Sequence, residues 1–323
     1  MPATEAANLT KDLNLEENRD AMKQAGPAPA DGRWRRLALA ASGLALGFAV
    51  PLWQLIYFTA HSELYSYILL IPFISGYLVW IKRRNLAAFV PARGKGAAFL
   101  AAGTLVLIWY WLVLRSQVKL APPDYLAVMM SSFLLCFFGL CCLCLGTAAV
   151  RAAVFPLGFL LFLIPLPAAA LAWIDGFLQW GSAPVVQAFF DLAMTPYVRD
   201  GLVFQLPTIT IQIAPECSGI HSSLVLLITS VLASHLFLRT PWKRAFFVLA
   251  VIPLALLRNG FRVFTIGELC VHIGPQMIDS PIHHKGGPIF FALSLIPLFI
   301  LLILLQNSER RKQSSSPSGE NPG

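Results

Sequence analysis

Long apolar runs separated by short polar segments occupy the chain between residues 37 and 306. A crossing of the hydrocarbon layer takes about 20 apolar residues, and the runs do not alternate as the strands of a membrane barrel would. They therefore predict helices, because in lipid a helix satisfies its own backbone hydrogen bonds. Eight spans are predicted, near residues 37–58, 64–81, 97–114, 125–145, 150–173, 219–238, 245–269 and 287–306.

Two stretches interrupt the helical pattern. The fifth span is expected to kink or end early at its prolines, Pro156, Pro165 and Pro167. After it, residues 174–194 mix apolar and polar side chains in a way that is typical of a helix lying in the membrane interface, or of a short re-entrant piece.

A small extracytoplasmic β-hairpin is predicted just before the sixth span. Arg199-Asp200-Gly201 is a turn signal. Residues 202–206 and 208–213 predict two short strands, and in the second of them isoleucines alternate with polar residues. The hairpin leads the chain into Pro215-Glu216-Cys217-Ser218-Gly219.

Composition supports an all-α polytopic membrane protein and excludes an ordinary soluble one. Hydrophobic residues make up 57% of the chain and charged residues 12%, and the mean hydropathy is +0.69, whereas a soluble domain carries about 25% charged residues. The net charge of +8 raises the question of nucleic acid. However, the basic residues sit in clusters that flank apolar runs and not on one stripe, so membrane lipid is expected and nucleic acid is not.

The distribution of positive charge predicts the orientation. With the N-terminus inside, the cytoplasmic segments hold 18 of the 24 lysines and arginines and the outer loops hold four, while Arg258 and Arg262 lie within a span. We therefore expect a multi-pass protein of the cell inner membrane with both termini cytoplasmic. Residues 1–36 and 307–323 are predicted to be disordered cytosolic tails, and residues 37–306 to form the membrane domain.

Cys217 is the first candidate for chemistry, because it stands at the start of the sixth span. The positive end of a helix favours the thiolate, although the neighbouring Glu216 opposes this effect. The unpaired amides of Ser218 and Gly219 can form an oxyanion hole. The alternative interpretation is that Cys217 is only a small apolar side chain.

Arg258-Asn259-Gly260-Phe261-Arg262 places two guanidinium groups in the seventh span. An arginine at the centre of a span costs roughly 2.5 to 3.5 kcal/mol on insertion scales, so such residues usually mark function. Arg258 and Arg262 are four residues apart and share one helix face. The alternative is that Arg262 snorkels to the interface; Arg258 is predicted to lie deeper.

His283 and His284, just before the eighth span, are candidate general bases, since imidazole titrates near neutral pH. A solvated loop histidine is the alternative for each. His221 is a rival base, because it follows Cys217 by four residues on the same helix face.

Of the remaining cysteines, the four inside the fourth span are predicted to be inert, and Cys270 is different. Cys270 ends the seventh span on the same side as Cys217, and a disulfide between the two would remove the nucleophile. Core packing without the spacing of a zinc site is predicted for Cys136, Cys141, Cys142 and Cys144. No metal, nucleotide or other cofactor is expected.

The order of these segments resembles the three-motif signature of the exosortase/archaeosortase family. The first motif is 215–220 with Cys217, the second is 259–262 with Arg262, and the third is His283 with Gly287 and Phe291. Residues 64–80 and 163–167 are similar to further family motifs, so the resemblance covers roughly residues 50–300. The sequence departs from the family pattern at His221, Tyr67 and Ile68, which bears on substrate preference.

The resemblance implies a membrane transpeptidase with a cysteine nucleophile. Its partners would be exported proteins with a C-terminal sorting signal, made of a short motif such as Pro-Glu-Pro, one transmembrane helix and a basic cluster. Such an enzyme would cut the signal at the outer face and pass the protein to a surface acceptor. Position by position, Cys217 matches the nucleophile, Arg262 the arginine and His283 the histidine, with Gly287 at the family's spacing of four residues from His283.

Two other function classes remain open from the sequence. A transporter or channel would use Arg258, Arg262 and the histidines to line a polar pathway. A catalytically silent assembly scaffold would tolerate replacement of Cys217, Arg262 and His283. The sequence predicts no oligomeric state.

Overall fold

The computed structural model describes residues 30–82, 93–115, 120–214, 219–279 and 287–314. These residues are mainly α-helical, which confirms the predicted all-α membrane class. The helices are α1 (Ala30–Gly47), α2 (Ala49–Ala60), α3 (Ile71–Lys82), α4 (Arg93–Arg115), α5 (Pro122–Ala152), α6 (Val154–Phe159), α7 (Ala168–Ala193), α8 (Ile220–Phe237), α9 (Pro241–Leu249), α10 (Val251–His272) and α11 (Gly287–Ser314).

Within the described residues, the eight predicted spans are not confirmed in number. Five helical segments are long and apolar enough to cross a membrane, namely Arg93–Val113, Pro122–Ala152, Ile220–Phe237, Pro241–His272 and Gly287–Arg311. Two bent pairs raise the total to seven if each is one span: α1 with α2 at 75°, and Val154–Leu163 with α7 at 92°. The second predicted span is represented by Ser66–Ile81, which is shorter than a full crossing.

Proline and glycine account for the breaks. The 92° bend falls at residues 164–167, where the chain contains Pro165 and Pro167 and leaves the helix, as the sequence predicted. Inside α5, Gly146 has φ +83° and ψ 170°, which kinks the helix at the predicted end of the fourth span. The interfacial or re-entrant helix predicted at 174–194 was placed with the wrong first residue, because α7 runs unbroken from Ala168 to Ala193.

A three-stranded antiparallel sheet follows α7, with β1 (Val198–Asp200), β2 (Val203–Gln205) and β3 (Thr210–Gln212) in the order β1-β2-β3. Phe204 of β2 is opposite Arg199 of β1 and Ile211 of β3. The strands β2 and β3 lie inside the two predicted strand segments, whereas β1 was not predicted. Gly201, with φ +59°, makes the turn between β1 and β2.

The sheet packs on the ends of α7 and α10. Phe204, Ile211 and Ile213 are buried in one cluster with Phe190 of α7 and Val263 of α10. Burial of these side chains, each contributing about 1.5–3 kcal/mol, fixes the sheet over the two helix ends.

Helices α8 and α10 run antiparallel, with α11 beside them. Leu226 and Leu238 share a buried cluster with Phe247 and Val251, and Leu298 of α11 completes it. The turn between α8 and α9 is closed from α11, where the Glu309 carboxylate accepts the backbone N–H groups of residues 239 and 240 at 3.0 and 2.9 Å.

The cysteines of α5 pack in the helix core, as predicted. Cys136, Cys141 and Cys142 are buried, Cys144 is half-buried, and all four are free. Cys270 of α10 is fully buried and also a free thiol. It therefore does not form the disulfide that would inactivate a nucleophile at position 217.

Candidate active site

The start of α8 is tied to the middle of α10 by one guanidinium group. Nη2 of Arg258 donates hydrogen bonds to the Gly219 carbonyl oxygen and to Oγ of Ser223, both at 2.9 Å. The Ser223 hydroxyl in turn donates to the Gly219 carbonyl at 2.9 Å. Arg258 is only 7% exposed, so these bonds form in a setting with little competition from water.

Gly219 is needed at this contact for two reasons. Its φ of +67° is a left-handed conformation that glycine adopts without steric cost. A Cβ atom at this position would lie 2.7 Å from Nη2 of Arg258 and 3.3 Å from Oδ1 of Asn259. The glycine therefore turns the chain into α8 and also lets its backbone touch the two polar side chains of α10.

Asn259 extends the polar contact to α7. It is 1% exposed, and its Nδ2 donates to Oγ of Ser182 at 3.0 Å. Ser182 donates to the Leu178 carbonyl of its own helix at 2.6 Å. The two helices approach closely here because Gly260 faces Val185, where a Cβ would lie 2.5 Å from that side chain.

Helix α11 forms a further side of the site. The rings of Phe261 and Phe290 meet edge to face with centroids 6.1 Å apart. A cavity of about 190 Å³ lies between α7, α10 and α11, and its lining consists of Phe189, Leu254, Leu257, Arg258, Phe261, Phe290, Leu293, Ser294 and Pro297. The polar contacts around Arg258 therefore border an apolar cavity.

The antiparallel packing of α8 and α10 brings the start of α8 beside the middle of α10. Gly219 comes nineteen residues before Leu238, and Arg258 comes twenty residues after it. Since a crossing takes about 20 residues, each of the two is separated from Leu238 by about the length of one crossing. Arg262 is one turn further along α10 and is partly buried.

The structure brings together three of the predicted site residues and places a fourth, His221, on an adjoining helix turn. Gly219, Arg258 and Asn259 are in contact, and His221 lies in the first turn of α8, with its Nδ1 buried and without a partner among the described residues. Outside the described residues lie Cys217, Ser218, His283 and His284.

Sequence reasoning missed Ser182 and Ser223. Ser223 had a usable signal, because it follows Gly219 by four residues and so shares its helix face. Ser182 had none, since a lone serine in an apolar run of α7 does not indicate which helix it will contact.

The chain that forms this site was compared with models of known protein families. The family model for transmembrane exosortases matches residues 53–300, which is more than three quarters of the chain. The chain belongs to the transmembrane exosortase family. No curated protein and no solved structure matches it. In this exosortase the matched range contains all the helices that form the site, from α7 to the first half of α11.

Membership of the transmembrane exosortase family indicates a general class of activity. Transmembrane exosortases are a family of membrane peptidases and transpeptidases. Among the described residues of this exosortase, no group of three or more histidine, cysteine, aspartate or glutamate side chains is arranged to hold a metal ion.

Proposed function

We propose that this exosortase is a cysteine transpeptidase. It cleaves C-terminal sorting signals of the PEP-CTERM type from exported proteins at the outer face of the inner membrane, and it transfers the cleaved proteins to a surface acceptor. In this proposal Cys217 is the nucleophile, Arg262 stabilises the oxyanion or orients the peptide, and His283 is the general acid and base.

The contact between Gly219 and Arg258 carries the proposal. Two residues of chain span at most about 7 Å, so Cys217 is covalently restricted to the neighbourhood of a glycine that touches α10. The same glycine precedes the first turn of α8, whose unpaired amides can bind an oxyanion. The cysteine motif and the arginine motif therefore belong to helices that meet at one point.

The third motif segment is attached to the same end of the molecule. Phe290 of α11 touches Phe261, the neighbour of Arg262. His283 precedes the first residue of α11, Gly287, by four positions, so its reach is limited to about 14 Å from that glycine. This supports a common site for all three segments.

The proposed reaction has two steps. The Cys217 thiolate attacks the scissile carbonyl carbon, and the tetrahedral oxyanion is stabilised by Arg262 and by the amides at the start of α8. The intermediate collapses to a thioester as the C–N bond breaks, and protonated His283 gives its proton to the leaving amine. His283 then takes a proton from the acceptor nucleophile, which attacks the thioester and releases the Cys217 thiolate.

The position of the charged groups favours this enzyme over a transporter or channel. A polar pathway needs ionisable groups near the midplane from several spans. Among the described residues, Arg258 is the one charged side chain that is buried, and its separation of twenty residues from Leu238 suits a position near the end of the apolar layer. The first turn of α8 adds the imidazole of His221, and the other helices beside Arg258 contribute apolar and hydroxyl groups.

Processing of a reporter tests the proposal. The full chain is expressed with an exported reporter that ends in a Pro-Glu-Pro motif, a transmembrane helix and a basic cluster. Cys217→Ala should leave the reporter uncut, whereas the matched control Cys144→Ala, in the core of α5, should leave processing unchanged. Cleavage that persists in the Cys217→Ala enzyme rules out the cysteine mechanism.

A further inference from the structure

Arg258 is a buried cation without an anionic partner in the described residues. Its side chain is 7% exposed, and the ion pair found among those residues is that of His272 with Glu268, at the far end of α10. Both hydrogen bonds of Nη2 go to neutral oxygen atoms. Nη1 is buried and has no partner among the described residues. A buried, uncompensated charge is strongly unfavourable, so the site is suited to an anion.

The surroundings strengthen the preference for negative charge. Leu257, Phe261 and Phe290 line the cavity beside Arg258, and a low-dielectric wall of this kind increases the attraction between opposite charges. The first turn of α8 starts at the Gly219 contact, and its macrodipole adds positive potential at the same point.

We propose that Arg258 determines specificity by binding a carboxylate side chain of the sorting signal, next to the bond that is cut. This inference rests on the proposed function, because it assigns a subsite to the same reaction. The guanidinium Nη1 donates to the carboxylate oxygen atoms, while Nη2 remains bonded to Gly219 and Ser223. The acidic side chain thereby aligns the peptide with the start of α8.

The size of the cavity favours a side chain over a lipid headgroup. Its volume is about 190 Å³, which is below the 300–1,000 Å³ that is usual for pockets that hold a whole small molecule. Nη1 is buried without a partner among the described residues, and one carboxylate can satisfy it, whereas a phosphodiester with its glycerol needs more donors and more space. A single acidic side chain fits both limits.

The test compares three reporter signals that differ at one position: Pro-Glu-Pro, Pro-Gln-Pro and Pro-Lys-Pro. A hydrogen bond to a charged group contributes enough for the wild-type kcat/KM to fall about 10- to 150-fold from the glutamate to the glutamine signal. The lysine signal should be cut least. Equal cleavage of all three signals by the wild-type enzyme overturns the proposal, whatever the variants do.

Variants then assign the preference to Arg258. Arg258→Gln should cut the glutamate and glutamine signals at similar rates, and Arg258→Lys should restore part of the preference. Ser223→Ala is the matched control, because it removes one neutral bond of Nη2 and keeps the charge, so it should retain the order of the three signals. Each ratio is measured within one variant, so the amount of folded enzyme cancels. An unchanged glutamate-to-glutamine ratio in Arg258→Gln overturns the proposal.

Two further arms separate the alternatives. The first arm measures the rate in vesicles with and without phosphatidylglycerol. If Arg258 binds a lipid headgroup, the rate depends on that lipid in the wild-type enzyme but not in Arg258→Gln, and the glutamate-to-glutamine ratio of kcat/KM stays constant. This result also overturns the proposal. Cys217→Ala reports on the proposed function alone. If cleavage requires Cys217 but the ratios ignore Arg258, only the specificity inference fails.

Discussion

A methyl group at position 219 tests the contact between α8 and α10 directly. In Gly219→Ala, the left-handed backbone costs about 1–2 kcal/mol for a residue with a Cβ. The new Cβ also lies 2.7 Å from Nη2 of Arg258, which forces the guanidinium away from at least one of its two acceptors. Loss of one hydrogen bond to a charged group adds about 1.5–3 kcal/mol. The expected destabilisation is therefore about 2.5–5 kcal/mol.

Gly201→Ala is the matched control for this prediction. Gly201 has nearly the same backbone, with φ +59°, but a Cβ there would meet only a Trp180 ring atom at an ordinary 3.8 Å. It should cost the backbone strain alone, about 1–2 kcal/mol. The free energy of unfolding is measured for both variants in mixed micelles by denaturant titration, and reporter processing is measured in membranes.

Comparison of the two variants separates strain from contact. Gly219→Ala should lose most processing, because Arg258 and the start of α8 move together, whereas Gly201→Ala should keep it. In the Gly219→Ala background, Arg258→Ala should cost less than it does alone, since the clash is then relieved. If the two glycine variants are destabilised equally, within about 0.5 kcal/mol, the contact between Gly219 and Arg258 is not formed.

Two more predictions concern the packing of α7 against α10. Ser182→Ala leaves the buried Asn259 amide without its acceptor and should destabilise the protein by about 1–3 kcal/mol. Ser230→Ala is the control, because it loses a hydrogen bond within its own helix. It should lower the free energy of unfolding by less in the same titration. Gly267→Ala places a Cβ 2.7 Å from the fully buried ring of Phe190 and should destabilise the protein by about 1–3 kcal/mol through overpacking. Gly176→Ala, in α7 with open space around it, should leave stability unchanged or raise it. A larger loss of stability in Gly176→Ala than in Gly267→Ala would contradict the packing described.

The helical architecture was largely predictable because its causes are local. Runs of apolar residues place helices at each predicted span, and Pro165 and Pro167 mark the break before α7. The number of crossings was not predictable, because a bend of 75° or 92° depends on how two segments pack and not on their hydropathy. Strand β1 was missed because Arg199-Asp200-Gly201 has the composition of a turn, and pairing with β2 stabilises it as a strand.

The candidate site was predictable in its helices and less so in its contacts. Arg258 was singled out because a guanidinium in a span is unusual, and the structure gives it a contact with Gly219. The pairing of Arg258 with the start of α8 depends on the antiparallel course of α8 and α10, which is a tertiary feature. Ser182 could not be found, since the approach of α7 to Asn259 is a tertiary event. The predictions for Cys217, Ser218, His283 and His284 stay predictions.

Helix α10 does not stop where its neighbour α8 begins. It continues for fourteen residues beyond Arg258 to His272, a rise of about 21 Å, and the sheet is fixed against this extension. Under the proposed function, this extension of α10 and the sheet packed on it hold the site at a constant distance from the lipid. A substrate would then be selected by the number of residues between its transmembrane helix and its scissile bond, as well as by the amino acids of its motif.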